Sequence, residues 1–162
     1  GISGSAGEHT FKGESSSQLM LGAHRVPFIV WSPGLINNPK EMDTVVSEVD
    51  VLATMAGLSG QKYTATTMGR DMLDPQYDDK RYAFTIYHSS PPRIGMIDKE
   101  YYFYMLANGS GAGLHSIYGD NPRDDVSKEH PELTSKLKKL SKAYYKTTQY
   151  MAYHNKESAV KK

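Results

Sequence analysis

The sequence contains no cysteine. Disulfides, thiolate nucleophiles and cysteine-ligated metals are excluded together, while the compartment stays open because many exported bacterial proteins also lack cysteine. An excess of charge of one sign is missing as well: 19 Lys and Arg against 18 Asp and Glu leave a formal net charge of +1. A nucleic-acid binder normally carries a stronger positive field, so nucleic acid is set aside as a partner. Long apolar runs are also lacking. The longest, Val26-Pro27-Phe28-Ile29-Val30-Trp31, falls far short of the roughly 20 residues that cross a bilayer, and it reads as a buried strand. Residue 1 opens on Gly-Ile-Ser-Gly, without initiator Met, basic n-region or apolar h-region. That gives the expectation of a processed, excised or partial chain.

What is present fits one soluble globular unit: 162 residues, 38% of them hydrophobic, with a mean hydropathy of −0.57, enough to bury a single core. Residues 1–24 intersperse Gly1, Gly4, Gly7, Gly13 and Gly22 with serines. They read as a loop, either functional or a terminal tail. The near-continuous apolar character of Val26–Trp31 implies a strand covered on both faces, as in a parallel or mixed sheet, ended by the turn Ser32-Pro33-Gly34. Between Ser47 and Gly57, the residues Val49, Val51, Leu52, Met55 and Ala56 fit a short helix, with Asp50 as its cap and Gly57 as its stop. Residues 61–80 read as a connection between two layers.

From Arg81 the pattern turns to short β-type runs: Arg81–Tyr87, Arg93–Ile97, Tyr101–Leu106 and Leu114–Tyr118. Pro91-Pro92, Asp98-Lys99 and Asn108-Gly109-Ser110-Gly111 separate them at hairpin spacing, which predicts an antiparallel meander. After Pro131, the residues Leu133, Leu137, Leu140, Tyr144 and Met151 recur at helical spacing with lysines interleaved. The spacing predicts a long amphipathic helix whose apolar stripe lies on the sheet. A membrane-surface reading of the lysines is weaker, because the Tyr-rich apolar side suits docking on the chain's own sheet.

Three stretches together resemble the sulfatase and phosphoglycerol transferase branch of the alkaline phosphatase superfamily, and within it the lipoteichoic acid synthase-like enzymes. The first is His24-Arg25-Val26-Pro27-Phe28-Ile29-Val30-Trp31-Ser32-Pro33-Gly34; the second is Val46 to Leu58, with Ala53 where the family usually has Pro; the third is Tyr144 to Lys156, ending in Tyr153-His154-Asn155-Lys156. The resemblance implies an α/β, alkaline phosphatase-like fragment. Residues 1–80 would be the last part of a mixed α/β layer from the metal-dependent catalytic domain, and 81–162 a small antiparallel-sheet subdomain with a long C-terminal helix.

The same resemblance places the catalytic Thr, Ser or formylglycine and most metal ligands upstream, with Gly1 standing for the glycine of an Asp-His-Gly motif. No catalytic and no metal-ligating residue is therefore expected in this chain. The full-length enzyme would use a divalent metal (Mn, Mg, Zn or Ca) that neutralises the ester oxygens and activates the nucleophile, and none is expected on this chain alone. Candidate substrate-binding residues are Lys12 and His9, in the loop where relatives place ester-oxygen contacts, and His24 at the entry of the apolar strand.

Asp43, Glu48 and Asp50 read as structural. Asp120, Asp124 and Asp125 around Asn121-Pro122-Arg123 read as a turn, lacking the Gly and terminal Glu of an EF-hand loop. His88, His115, His130 and His154 show no metal-ligand spacing.

Implied partners are the upstream half of the same protein and a phosphate or sulfate ester, with membrane attachment only through missing N-terminal helices and an extracytoplasmic location. A second reading makes the chain a noncatalytic accessory or interaction module derived from the same fold.

Overall fold

The computed structural model describes residues 19, 21 and 25–154. It is an α/β chain in which helix α1 (Asp50–Leu58) and a 3-10 turn (Pro75–Lys80) precede strands β1 (Ala83–Tyr87), β2 (Arg93–Ile97), β3 (Tyr101–Leu106) and β4 (Gly113–Ser116), followed by helix α2 (Pro131–His154). The strands form one sheet in the order β1-β2-β3-β4, antiparallel throughout. This is the expected meander, with its outer strands trimmed. At the front, the Arg81 guanidinium is turned to the Asp74 carbonyl and the Asp78 carboxylate, and the Tyr82 carbonyl accepts from Arg70. At the back, the Ile117 amide turns to the Glu100 carbonyl.

Turn chemistry fixes the register. The Asp98 carboxylate accepts from the amides of Glu100 and Tyr101 at 2.9 and 2.7 Å, closing the β2–β3 hairpin. Between β3 and β4, Gly109 and Gly111 take positive φ values of 94° and 60°, a conformation that other L-residues resist. With pairs such as Met96↔Phe103 and Phe103↔Leu114 in place, the pleat sends Ile94, Met96, Phe103, Met105 and Leu114 to one face. There they close around Leu137 of α2, and Leu133, Leu140, Tyr144 and Tyr145 pack at the margin. The helical stripe read from sequence is thus the lid of this core. Removing a leucine side chain of this kind from water contributes about 1.5–3 kcal/mol.

The opposite face carries a second, smaller cluster of Leu19, Leu21, Tyr102 and Ile117. Polar groups on this face are paired: the Thr85 and Tyr102 hydroxyls lie 3.0 Å apart. Gly95 is required between them, since a Cβ there would stand 2.6 Å from the Tyr102 ring and 2.8 Å from the Thr85 hydroxyl. His115 is buried on this face, stacked on Tyr104 at 4.7 Å, and its Nδ1 donates to the Pro122 carbonyl at 3.1 Å.

The segment Val26–Trp31 departs from expectation. It is not a strand, and it is not buried: Ile29 is 84% and Trp31 82% exposed. A strand needs a neighbour to satisfy its amides and carbonyls. The four described strands pair only among themselves, and Pro27 has no N–H to offer.

Burial pushes His115 below its ordinary value of 6.5, and the Asp125 carboxylate and the Pro122 carbonyl offset that only in part. The folded protein therefore disfavours the imidazolium that the unfolded chain accepts. Stability is fully present above about pH 6.5 and declines as pH falls from there toward the folded-state pKa. In urea unfolding at pH 7.5 and pH 5.5, His115→Gln should show a smaller drop between the two than wild type. Equal drops would contradict the assignment.

Candidate functional site

The best-defined polar arrangement lies where α1 meets residues 69–82. Asp50 opens the helix, but not as a conventional cap: Val49 holds the N-cap position, without a side-chain hydrogen bond. The Asp50 carboxylate is buried. One oxygen accepts from the Ser47 amide at 2.9 Å; the other accepts from the Arg70 amide at 2.8 Å and faces the Arg70 Nε at 3.6 Å. One turn on, the buried Thr54 hydroxyl donates to the Asp50 carbonyl at 2.8 Å and accepts from the Met72 amide at 2.9 Å. The Arg70 guanidinium continues to the carbonyls of Lys80 and Tyr82 at the entrance of β1.

Two glycines allow this closeness. A Cβ on Gly69 would collide with the Val49 carbonyl, and one on Gly57 with the Asp71 carboxylate. Gly57 is consequently inside the helix, which runs to Leu58, and the positive φ falls at Gly60. Both roles differ from the cap and stop expected for Asp50 and Gly57.

Because α1 turns Asp50, Ala53 and Thr54 inward, its larger apolar residues Val49, Leu52 and Met55 face out. With Val26, Phe28, Ile29, Trp31, Leu35 and Met42 they give residues 26–55 nine of the fifteen exposed large hydrophobic side chains among the described residues. Scattered apolar residues are ordinary on a surface, whereas this segment concentrates them.

The sequence-derived candidates His9, Lys12 and His24 lie outside the described residues. Among the described residues, no group of three or more His, Asp or Glu side chains comes together in a way that could hold a metal ion. The described residues do not fit a metal centre.

The Asp120–Asp125 segment is a turn. Asn121 donates to the Asp124 carboxylate, and one Asp125 oxygen accepts from the amides of Leu114 and Ser127, each at 3.0 Å. Burial raises the Asp125 pKa, but those amide hydrogen bonds and the neighbouring His115 outweigh it and hold the carboxyl below its usual range. His130 meets the Tyr101 hydroxyl at 3.0 Å through Nε2, and His154 bonds the Tyr150 carbonyl. A cleft of about 430 Å³ lies among Asp43, Asp78, Asp79, Arg81, Asp98 and Lys136, mixed in charge.

Two basic residues were not singled out by sequence reasoning. Arg93 lies over the rings of Tyr87 and Tyr104 at 4.7 and 5.0 Å, and Arg70 joins the Asp50 knot. For Arg93 the signal was available: it pairs with Tyr87 in the hairpin register, placing a cation beside an aromatic ring. Arg70 gave none, since its partner is 20 residues away across a connection of irregular structure.

The family model described as Sulfatase matches residues 1–61. Over that stretch the chain is similar to the sulfatases of the alkaline phosphatase superfamily. No curated protein gives a match. The matched stretch contains His9, Lys12, His24, the exposed apolar segment and all of α1. Residues 62–162, with the sheet and α2, follow it.

Asp50→Ala should destabilise the protein by about 3 kcal/mol, because it leaves the Ser47 and Arg70 amides without acceptors and the Arg70 guanidinium without its counter-charge. Asp50→Asn keeps one acceptor oxygen and should lose less. Urea denaturation of both variants checks the order, and an Ala variant as stable as wild type would show the knot to be inconsequential.

Proposed function

We propose that the chain supplies the C-terminal part of a metal-dependent sulfatase-like or phosphoglycerol transferase-like enzyme acting on sulfate or phosphate esters. The sulfatase match over residues 1–61 carries this reading, and the ordered likeness of the segments around Val26–Gly34, Val46–Leu58 and Tyr144–Lys156 supports it. In the whole enzyme an upstream segment would provide the nucleophile and the divalent metal, Mn, Mg, Zn or Ca, which supplies charge neutralisation at the ester. Lys12 would place its ammonium against the oxygens of the transferring group, where negative charge grows in the transition state. His9 would orient the ester, and His24 would line the cleft at the entry to the apolar segment. The enzyme would work on the extracytoplasmic side of the cell envelope, tethered by upstream membrane helices.

The apolar surface at residues 26–55 is the face that the upstream half would cover. Strand pairing to Val26–Trp31 would satisfy its backbone and remove Ile29 and Trp31 from water together. Trp31 is the single tryptophan, so its fluorescence reads this directly. Emission from the longer protein containing the upstream half, if that half has no tryptophan or its tryptophans are replaced by Phe, should lie to the blue of emission from the 162-residue chain. Identical spectra would contradict coverage of this face.

The chemistry is tested separately. In the longer protein, Lys12→Ala should lower turnover of a sulfate or phosphate ester on the order of 10²-fold, the scale for loss of one preorganised charge stabiliser. His9→Ala should lower it less. Lys136→Ala, on the exposed side of α2, should leave it unchanged. The 162-residue chain alone should turn over neither ester with added Mn²⁺, Mg²⁺ or Zn²⁺. If Lys12→Ala behaves as Lys136→Ala does, the loop is a connector and the accessory-module reading takes its place.

A further inference from the structure

The near-neutral net charge conceals a strong segregation. Residues 131–162 hold eight lysines against Glu132 and Glu157, a net of +6, while residues 1–130 carry a net of −5. Within α2, Glu132 in the first turn is the sole acidic residue. Packing of Leu137, Leu140 and Tyr144 on the sheet fixes which side of the helix faces out. On that side Lys139, Lys142, Lys146, Tyr150 and Tyr153 follow one another at spacings of three and four residues, all exposed. They form one file along the helix, about 21 Å long at 1.5 Å per residue, with Lys138 at its edge.

Like charges at these spacings oppose helix formation. Among the described residues the ion pairs are Arg70–Asp50 and Arg81–Asp78, and none reaches these lysines. Among the described residues, the file therefore has no ion-pair partner. Its far end is aromatic: Tyr150 is 63% and Tyr153 80% exposed. Phenol rings ending a cationic row suit the boundary between lipid headgroups and acyl chains, where Tyr is enriched. Because the five residues share one side of the helix, a plane can meet all five side chains at once.

We propose that the outward face of α2 is a docking surface for an anionic lipid membrane, contacted by Lys139, Lys142 and Lys146 and by the rings of Tyr150 and Tyr153. The helix lies along the surface and does not enter it: α2 is too polar to span a bilayer, and no described helix is long and apolar enough to do so. This contact does not depend on the catalytic reading of residues 1–61.

Flotation of the 162-residue chain with vesicles tests the proposal. Wild type should float with vesicles of phosphatidylcholine containing about one-third phosphatidylglycerol, should not float with phosphatidylcholine alone, and should be released as salt shortens the range of the attraction. A lysine at an anionic surface contributes roughly a factor of five in affinity, so the combined change of Lys139, Lys142 and Lys146 to Gln should weaken binding on the order of 100-fold. Lys99→Gln, at the β2–β3 turn, should bind as wild type does. Tyr150→Ser with Tyr153→Ser should weaken binding while leaving its salt dependence unchanged. Circular dichroism checks that each variant is folded, and the salt release of wild type stands without any variant. Failure of wild type to float, flotation insensitive to salt, or equal flotation of the triple-lysine variant would overturn the proposal. So would capture of wild type by dextran sulfate but not by anionic vesicles, which would make the row a polyanion site instead.

Discussion

The seating of Leu137 among Ile94, Met96, Phe103, Met105 and Leu114 is the contact on which the C-terminal part of the molecule depends. Without the helix, the sheet would hold one apolar face against water, which is unfavourable. The helix covers that face, and in doing so it fixes its own rotation: once Leu137 points inward, the stripe of Leu133, Leu140 and Tyr144 must follow, and the lysines must point outward. Ser141, fully buried in the same stripe, is tolerated because its hydroxyl donates to the Leu137 carbonyl at 2.9 Å. One apolar contact thus determines both the core and the electrostatic character of the surface.

The N-terminal part is organised on a different basis. Around α1, polar groups are buried and apolar ones exposed, the reverse of an ordinary surface helix. Asp50 and Thr54 spend their hydrogen-bonding capacity on the backbone of residues 47, 70 and 72, so α1 is tied to the connection that follows it and, through Arg70, to the start of β1. A buried carboxylate–guanidinium pair is weak support for stability in itself, because desolvation offsets the attraction. Its value here is positional. It holds the connection against one side of the helix and leaves Val49, Leu52 and Met55 on the other.

The sheet and α2 were legible because each rests on local signals. Alternating apolar residues, Asp and Gly at the turns, and leucines at helical spacing all act within a few residues of one another. The position of α1 was legible for the same reason, but its orientation was not. The sequence Val49-Asp50-Val51-Leu52 suggests an apolar inner face, whereas the deciding partners, Arg70 and Met72, lie far along the chain in a stretch without periodicity. Val26–Trp31 shows the converse. Its composition is that of a buried strand, and burial depends on a neighbouring strand that none of the described residues provides. For Lys12, His9 and His24 the expectation rests on family likeness alone, since they carry no spacing that would single them out on physical grounds and they lie outside the described residues.

Helix α2 is longer than what supports it. At 24 residues it extends about 36 Å, whereas strands of four to six residues reach only about 13–20 Å. Its apolar seat runs from Leu133 to Tyr145, and farther along the Thr148 hydroxyl touches the Met68 sulfur at 3.4 Å. Mechanically, this is a beam held along its length up to Tyr145, with its last turns reaching beyond that seat. A rotation of about 5° at Leu137 carries Tyr153, some 24 Å farther on, through roughly 2 Å. Small adjustments in the packing of Met96 or Phe103 are therefore magnified at the helix tip, and a force applied at the tip is delivered with the same leverage to the middle of the sheet.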